Sequence, residues 1–362
     1  MLFSQSESIS SFDSEDLKSY IGHELRTPLT SIKGALRLLQ DSCVGNSYSG
    51  DHGLGSLSEE GHDLLNIALH NADRLVRLAD AIEREPVIPM TLLSPVKLAE
   101  LQLTNDLYLA FERQELQLFY QPIICIETNE VSGFEAFVRW QHPCQGWIAP
   151  AVLTSVVEKA GLTHHLGIWS VRQACCQLQQ WQQVYKESGL KMVVNLSFLQ
   201  LLQPCLVQQI QQILEDTQIV PDCLKLQLTE VTLIQTNEQA ITVISQLRSL
   251  GIQFHINDFG YSCTMLEYLQ DLPIVALKIN RSIRDKKRNL SEMLLLLAVK
   301  LGVEAIVEGV ETAEELAFLK ALGCKQMQGY FFSAPVNSET ASHLLLTTST
   351  GYGATGCGAN HD

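Results

Sequence analysis

The sequence lacks the segments that would place it in a membrane or on a nucleic acid. No apolar stretch approaches the ~20 residues that a membrane-spanning helix needs. Basic residues number 25 against 40 acidic ones, giving a net charge of -15. No Lys/Arg-rich segment offsets this balance, which argues against broad nucleic-acid binding. The first residues contain neither the basic nor the apolar region of a secretory signal, so we expect a cytoplasmic protein.

Two further absences narrow the chemistry. The ten cysteines form no Cys-x-x-Cys, and no histidine pair stands at zinc-binding spacing, so we expect reduced thiols. No Walker-type Gly-x-x-x-x-Gly-Lys is present either. What the chain does have is length and apolar content: 362 residues and 46% hydrophobic residues fit one large domain plus a smaller one.

The smaller domain is predicted to be a helical hairpin. Residues 1–15 are polar and serine-rich and are expected to be flexible. Apolar residues then recur at helical steps from Leu25 to Leu39 and from Leu64 to Ile82. Two such helices bury too little alone, so we expect residues 16–85 to dimerise into a four-helix bundle, a homodimer. Three prolines mark residues 86–102 as a linker.

A motif in the first helix has a known counterpart. The run Tyr-Ile-Gly-His-Glu-Leu-Arg-Thr-Pro-Leu around His23 resembles the phosphoacceptor box of the histidine-kinase dimerisation domain, and Asn71 to Leu75 resembles its second helix. The resemblance implies that His23 accepts a phosphoryl group on its neutral ring. Nothing downstream resembles the kinase ATP-binding domain. A trans-acting histidine kinase or a response regulator is therefore the expected partner, unless the hairpin acts only as a dimeriser.

The larger domain, residues 103–346, alternates short apolar runs with helical patterns. Eight such runs in about 240 residues indicate βαβ units that close into a (β/α)8 barrel, an α/β fold. The runs are Leu118–Ile124, Phe134–Trp140, Met192–Leu196, Leu224–Leu228, Phe254–Ile256, Val275–Ile279, Ala305–Val307 and Met327–Phe332. The Thr/Gly/Ser-rich tail, residues 347–362, is expected to be disordered.

Polar residues follow or close these runs, where the active sites of barrels lie. They are Gln121, Glu135, Arg139, Asn195, Gln227, Glu230, Asn257, Asp258, Lys278, Glu308, Glu311 and Gln328. Carboxylates, amides and a lysine at one barrel mouth indicate a cation-assisted site for an anionic substrate. Oxygen ligands favour Mg²⁺ or Mn²⁺, and two such ions can clamp a phosphodiester undergoing hydrolysis.

Seven motifs then make a resemblance specific. These are Gln121-Pro122-Ile123, Glu135-Ala136-Phe137-Val138-Arg139, Val194-Asn195-Leu196-Ser197, Asn257-Asp258-Phe259-Gly260, Lys278-Ile279-Asn280, Glu308-Gly309-Val310-Glu311 and Gln328-Gly329-Tyr330. They resemble EAL domains, modified barrels that hydrolyse the bacterial second messenger cyclic di-GMP. The resemblance extends from Leu107 to about Val336.

The resemblance also implies a role for each matching residue. Metal ligands would be Glu135, Asn195, Asp258 and Glu308, with Asp258 and Lys278 acting on the attacking water and Gln328 supporting the site. Glu230 and Glu311 would hold the loop after the strand that bears Asn257. Gln121 and Arg139, together with Asn195, would contact the nucleotide.

The sequence departs from the family at two metal positions. Gln227 stands where the family has Glu, and Asn257 stands where it has Asp; Phe137 replaces Leu, Asn280 replaces Asp, and the loop Tyr261–Met265 is altered. Each amide keeps the shape of the carboxylate and loses its charge, which weakens the hold on divalent cations. We therefore expect a catalytically impaired EAL domain that acts as a cyclic di-GMP receptor or interaction module, with no metal requirement. The alternative is an active phosphodiesterase that uses Mg²⁺ or Mn²⁺ to produce the linear dinucleotide.

Overall fold

The structure, a computed structural model, describes mainly the C-terminal part of the chain. It covers residues 72, 103–104, 106–111, 113–185, 189–230, 232, 238–259, 274–280 and 288–347. The chain divides into two compact units, Met1–Gln102 and Leu103–Asp362. The predictions about residues 1–15, the hairpin with His23 (residue 72 apart), the linker, the loop Tyr261–Met265 and the tail beyond Thr347 lie outside the described residues.

Eight strands close into a barrel, and one more is added at the edge. The strands are β1 Leu116–Cys125, β2 Glu130–His142, β3 Gly146–Ile148, β4 Lys191–Asn195, β5 Leu224–Thr229, β6 Gln253–Asn257, β7 Ile274–Ile279, β8 Glu304–Val307 and β9 Gln326–Met327. Their order is β1-β9-β8-β7-β6-β5-β4-β2-β3, and β1 also pairs with β2, which closes the barrel. The predicted eight-stranded α/β barrel is confirmed.

The first strand differs in direction from the rest of the barrel. Neighbouring strands from β2 through β4 to β9 are parallel, whereas β1 is antiparallel to both β2 and β9. Only a short turn joins β1 to β2, and a parallel connection needs a crossover of a dozen residues or more. As a result, Gln121 lies directly opposite Glu135 in the β1–β2 ladder.

Helices connect the strands. They are α1 Pro150–Ala160, α2 Thr163–Val184, α3 Phe198–Leu201, α4 Leu206–Thr217, α5 Glu238–Ser249, α6 Arg288–Leu301, α7 Ala313–Ala321 and α8 Ser338–Thr347. Gly251 follows α5 with a φ of 94°, a conformation that favours glycine after a helix end. None of the helices in the described part of the chain is long and apolar enough to cross a membrane.

Two apolar layers lie on opposite sides of the strands. Outward-facing residues of the strands pack against the helices in one large core, whereas Ile123, Val193, Ala276 and Ile306 form a small cluster of their own. Side chains two positions apart on a strand share a face. Residues two positions away from this cluster, such as Asn195 and Lys278, therefore line the same inner face, and the cluster forms the floor beneath them.

The end of β2 is tied to the helical residues 106–111 that precede the barrel. Nε2 of His142 lies 3.1 Å from Oδ2 of Asp106, and Nδ1 accepts the backbone N–H groups of Cys144 and Gln145, both at 3.2 Å. Because Nδ1 accepts, Nε2 carries the hydrogen that is donated to Asp106. The buried imidazole thus joins the segment before β1 to the far end of β2.

Candidate functional site

A layer of polar side chains lies inside the barrel above the apolar floor. Its members are Gln121 on β1, Glu135 on β2, Asn195 on β4, Gln227 on β5, Lys278 on β7, Glu308 after β8 and Gln328 after β9. Hydrogen bonds and ion pairs join all seven. The sequence predicted each of them at the barrel mouth, and the structure brings them into one network.

Glu135 is the centre of this network. Its Oε1 accepts from Nδ2 of Asn195 at 3.0 Å and from Nε2 of Gln227 at 2.9 Å. Its Oε2 accepts from Nζ of Lys278 at 2.6 Å and from Nε2 of Gln328 at 3.0 Å. A carboxylate offers about four acceptor positions. All of those of Glu135 are filled by this chain's own donors.

Lys278 is fully buried and forms ion pairs with Glu135 and Glu308. Burial opposes its charge, but the two carboxylates outweigh burial and raise the pKa of Lys278. Burial also acts to raise the pKa of Glu135, yet the charge and hydrogen bond of Lys278, helped by the neighbouring amides, hold that pKa below its usual value. Burial, together with the carboxylates of Glu135 and Asp258, raises the pKa of Glu308 against the pull of Lys278. Glu135 and Lys278 are therefore the firmly ionised pair.

Gln227 takes part in the network as a donor, which an ionised glutamate could not do. Besides the bond to Glu135, its Nε2 donates to Oδ1 of Asn195 at 2.9 Å. Its Oε1 is buried and has no hydrogen-bond partner in the structure. A carboxylate at this position would bring oxygen against oxygen at both contacts. The N–H group of Gln227 therefore satisfies acceptors of Glu135 and Asn195 from within the chain itself.

Gln121 and Gln328 support the network from the side of β1. Nε2 of Gln328 donates to Oε1 of Gln121 at 2.9 Å, and Nε2 of Gln121 donates to the carbonyl of Ser333 at 3.1 Å. Gly329 follows, and a Cβ atom there would lie 2.2 Å from the carbonyl oxygen of Val310. Only glycine fits this close approach. β9 ends at Met327 and does not continue to Phe332 as the sequence pattern suggested.

Asp258 belongs to a second, smaller cluster. Oδ1 accepts from Nδ2 of Asn280 at 2.8 Å, and Oδ2 lies 3.4 Å from Nδ2 of Asn257. Its φ of 56° is in the left-handed region, where aspartate is one of the more tolerated residues. The backbone N–H of Phe259 bonds to the carbonyl of Lys278 and holds this turn at the end of β6. Both amides thus present N–H groups to the one remaining acid.

The network opens into a pocket of about 230 Å³. It is lined by Gln121, Glu135, Phe137, Asn257, Glu308, Gly309, Glu311, Gln328, Gly329 and Tyr330. Six of these were predicted as site residues. Tyr330, which is 67% exposed, stands at the outer edge.

Three predicted residues of the barrel lie outside both the central network and the cluster around Asp258. Arg139 is farther along β2, and its guanidinium carbon lies 5.6 Å from the ring centroid of Phe137; burial lowers the pKa of Arg139. Glu230 is buried immediately after β5. Glu311 lines the pocket, and its backbone N–H donates to Glu315 at 2.7 Å. The loop that Glu230 and Glu311 were predicted to hold lies outside the described residues.

The side chains present fit a pair of divalent cations poorly. Three carboxylates (Glu135, Asp258 and Glu308) and one ammonium (Lys278) leave a net charge of -2. Every acceptor position of Glu135 is already used, and Gln227 and Asn257 turn N–H groups toward the remaining acids. Among the described residues, no group of three or more His, Cys, Asp or Glu side chains is placed to hold a metal ion.

Two neighbours of the site were missed or undervalued from sequence. Asn280 stands two residues after Lys278 and so shares its inward face, a period-two signal that could have placed it in the site. His255 stands two residues before Asn257 on β6 and so shares the inward face of that strand. It is buried inside the barrel, and burial together with the charges of Lys278 and Lys225 lowers its pKa to about 3.

Family models and known proteins agree on what this barrel is. The model of the EAL domain matches residues 104–335, and that of the His Kinase A (phospho-acceptor) domain matches residues 14–84. The chain is 35% identical over 252 residues to "Cyclic di-GMP phosphodiesterase NbdA" of Pseudomonas aeruginosa, covering 68% of this chain and 32% of the relative. It is 34% identical to "Cyclic di-GMP phosphodiesterase PdeR" of Escherichia coli, covering 65% of this chain and 36% of the relative. It spans about a third of the length of these relatives.

Solved structures give the same result. "PaMucR Phosphodiesterase, c-di-GMP complex" matches with a TM-score of 0.63 and 32% identity, covering 66% of this chain and 99% of that one. "Structure of EAL Enzyme Bd1971 - cAMP and cyclic-di-GMP bound form" matches with a TM-score of 0.64 and 27% identity, covering 80% and 77%. EAL phosphodiesterases generally depend on metal ions. The chain belongs to the EAL-domain family, and a segment matching the His Kinase A phospho-acceptor domain precedes its EAL barrel.

Proposed function

We propose that this chain is a cyclic di-GMP signalling protein whose EAL barrel binds the nucleotide without hydrolysing it efficiently. The observation that carries the proposal is the direction of the Gln227 amide, which donates to both Glu135 and Asn195. In this arrangement the barrel acts as a receptor or interaction module. The phosphoacceptor-like segment would supply the homodimer and, through His23, an input from a histidine kinase or response regulator acting in trans.

The ligand class is supported by the relatives and by the pocket. The named relatives are cyclic di-GMP phosphodiesterases, and two matching structures contain cyclic di-GMP. Gln121 lines the pocket, and Arg139 lies beyond its edge, beside Phe137. Amides and a guanidinium suit a nucleotide, because they can donate to phosphate oxygens and to base edges.

The loss of efficient hydrolysis follows from charge and hydrogen bonding. Restoring carboxylates at positions 227 and 257 would change the net charge of the cluster from -2 to -4, which would match two divalent cations. Each charge–charge contact at about 4 Å is worth roughly 4 kcal/mol at an effective dielectric constant of 20. Two missing contacts of this size lower cation affinity by orders of magnitude.

A turnover assay tests this proposal. Purified protein would be incubated with cyclic di-GMP and Mg²⁺ or Mn²⁺, and the linear dinucleotide would be followed by chromatography. We expect little product from the native chain and a gain of at least about tenfold from the double variant Gln227→Glu/Asn257→Asp. Adding Glu135→Ala should remove the gain, whereas Gln208→Glu, an exposed change on α4, should have no effect. Rapid turnover by the native chain, abolished by Glu135→Ala, would contradict the proposal.

Calorimetry in the presence of a chelator tests the receptor function separately. We expect cyclic di-GMP to bind the native chain without divalent cations and Arg139→Ala to weaken binding. If the native chain does not bind, the barrel is an interaction module and not a nucleotide receptor.

A second candidate is a working metal-dependent phosphodiesterase. It is favoured by the retention of Glu135, Asn195, Asp258, Lys278, Glu308 and Gln328 together at the barrel mouth. Mg²⁺ or Mn²⁺ would supply the activated water in that case. The turnover assay separates the two candidates.

A further inference from the structure

Three buried polar atoms on two neighbouring strands have no hydrogen-bond partner among the described residues. They are Oε1 of Gln227 on β5, and Nδ1 of His255 and Oδ1 of Asn257 on β6. Gln227 lies opposite His255 in the parallel β5–β6 ladder, and Asn257 stands two residues farther along β6 on the same inward face. We call these three residues the amide–imidazole site. Because buried polar groups are nearly always hydrogen-bonded, three such atoms in one place indicate a bound ligand.

The amide of Gln227 turns its oxygen toward β6. Its Nε2 donates to residues on β2 and β4, and both of those strands lie on the opposite side of β5 from β6. The oxygen and the nitrogen of an amide point in different directions, so Oε1 faces the side of β6. Asn257 is divided in the same way, because its Nδ2 contacts Asp258 and its Oδ1 remains without a donor. The two amides thus offer two acceptors next to His255.

The imidazole of His255 adds one donor or one acceptor to the site. His255 is only 4% exposed. Burial and the ammonium groups of Lys278 and Lys225 lower its pKa, so the ring is neutral and carries a single N–H group. The ligand must therefore donate to two amide oxygens and also form a hydrogen bond with a neutral ring nitrogen.

The surroundings of the amide–imidazole site favour a neutral ligand over a cation. The two nearby ammonium groups, those of Lys278 and Lys225, repel positive charge. Glu135 already accepts four hydrogen bonds from the chain itself. A cation held by two neutral amides and a neutral imidazole would gain no charge–charge attraction to offset its lost hydration. Water has two hydrogens and two lone pairs, which match these partners.

Water can also reach this position. Asn257 lines the pocket of about 230 Å³ at the barrel mouth. The amide–imidazole site therefore borders on space that solvent can enter. A buried water typically makes about three hydrogen bonds to groups that would otherwise lack a partner. The site offers that number.

We propose that the amide–imidazole site holds one ordered water molecule, which donates to Oε1 of Gln227 and to Oδ1 of Asn257 and accepts from Nδ1 of His255. The inference rests on the proposed function and deepens it, because a neutral ligand then occupies the side of Gln227 that faces β6. The water fixes the Gln227 amide with its oxygen on that side, and so keeps Nε2 directed at Glu135 and Asn195. His255 is a positioning residue for this water.

Diffraction tests the site directly, with crystals of the full chain grown in chelator and others soaked in Mn²⁺. In both we expect a water peak within hydrogen-bond distance of all three atoms, and no anomalous Mn²⁺ signal at that position. A dry site, or a direct hydrogen bond from His255 to Gln227, overturns the water and leaves the proposed function standing. An anomalous peak at the site overturns the water and the proposed function together.

Nitrogen-15 NMR of the histidine-labelled full chain gives a second measurement. Since both hydrogens of the water go to the amides, we expect His255 to be protonated on Nδ1, with a cross-peak between this N–H and a bound water. The variant His255→Gln identifies the signal among the ten histidines. Ile256→Val, on the outward face of the same strand, should leave the signal unchanged. A ring protonated on Nε2 overturns the proposed donation, because Nδ1 then has no hydrogen to give.

Discussion

Replacing Gln227 with glutamate should make the stability of the barrel depend on a bound cation. In the native chain, hydrogen bonds from Gln227 take the place of that cation. The substitution removes the N–H group that now donates to Glu135 and Asn195, both at 2.9 Å. It also places two buried carboxylates in contact. At 2.9 Å their repulsion is roughly 6 kcal/mol at an effective dielectric constant of 20, part of which protonation of one acid relieves.

The expected loss of stability follows from these contacts. Two buried hydrogen bonds, one of them to a charged group, contribute about 2–4 kcal/mol together. With the residual repulsion we expect Gln227→Glu to lower the free energy of unfolding by about 3–5 kcal/mol in the absence of divalent cations. For a barrel of this size that corresponds to a decrease in Tm of roughly 10 °C.

The assay is thermal unfolding with and without Mn²⁺. Added Mn²⁺ should restore much of the Tm of Gln227→Glu, because a ligand that binds only the folded state stabilises it. The native chain and the surface variant Gln208→Glu should respond to Mn²⁺ far less. If Gln227→Glu is as stable as the native chain without metal, the assignment of Gln227 as an internal donor is wrong.

Three other predictions concern different parts of the chain. Lys278→Met leaves the buried carboxylate of Glu135 and the partly buried one of Glu308 without their cation, and it should lower the free energy of unfolding by about 3–5 kcal/mol in urea titrations. An unchanged urea midpoint would contradict the ion pair between Lys278 and Glu135. Alkylation at pH 8 followed by mass spectrometry should label the exposed Cys144 rapidly and spare Cys175, since burial raises the pKa of the Cys175 thiol to about 12 and only the thiolate reacts. Equal labelling of the two would refute this. Incubation with a histidine kinase and ATP should give an acid-labile label that is lost in His23→Ala; a label that survives this substitution would place the phosphoryl group elsewhere.

The sequence predicted the barrel and most of its inner polar layer, because both depend on local pattern. Apolar runs followed by polar residues placed Asn195, Lys278 and Glu308 correctly at one end of the strands. The direction of β1 was not specified by the pattern, since an apolar run looks the same in the sequence whether the strand is parallel or antiparallel to its neighbours. The close approach of Gly329 to Val310 was not visible in the pattern either, because the two residues are 19 positions apart and meet only after folding.

The residue type at a site position did not reveal which hydrogen bonds its side chain makes in the folded barrel. Gln227 and Asn257 were read as weakened metal ligands because only their lost charge is visible in the sequence. Whether an amide offers its oxygen or its N–H group depends on the residues that surround it after folding, here Glu135 and Asn195. The contact between the rings of Phe119 and Trp147 was missed for a similar reason, because the two residues are 28 positions apart and meet only through the pairing of β1, β2 and β3.

The strand β2 has a mechanical consequence for the protein. Its far end is held to Asp106 through His142, and Glu135 lies seven residues back along the same strand, roughly 23 Å away at the usual rise per residue. A hydrogen-bonded strand resists stretching and transmits a pull along its axis. Tension or torque applied to the helical residues 106–111 is therefore transmitted along β2 to Glu135, the central carboxylate of the pocket.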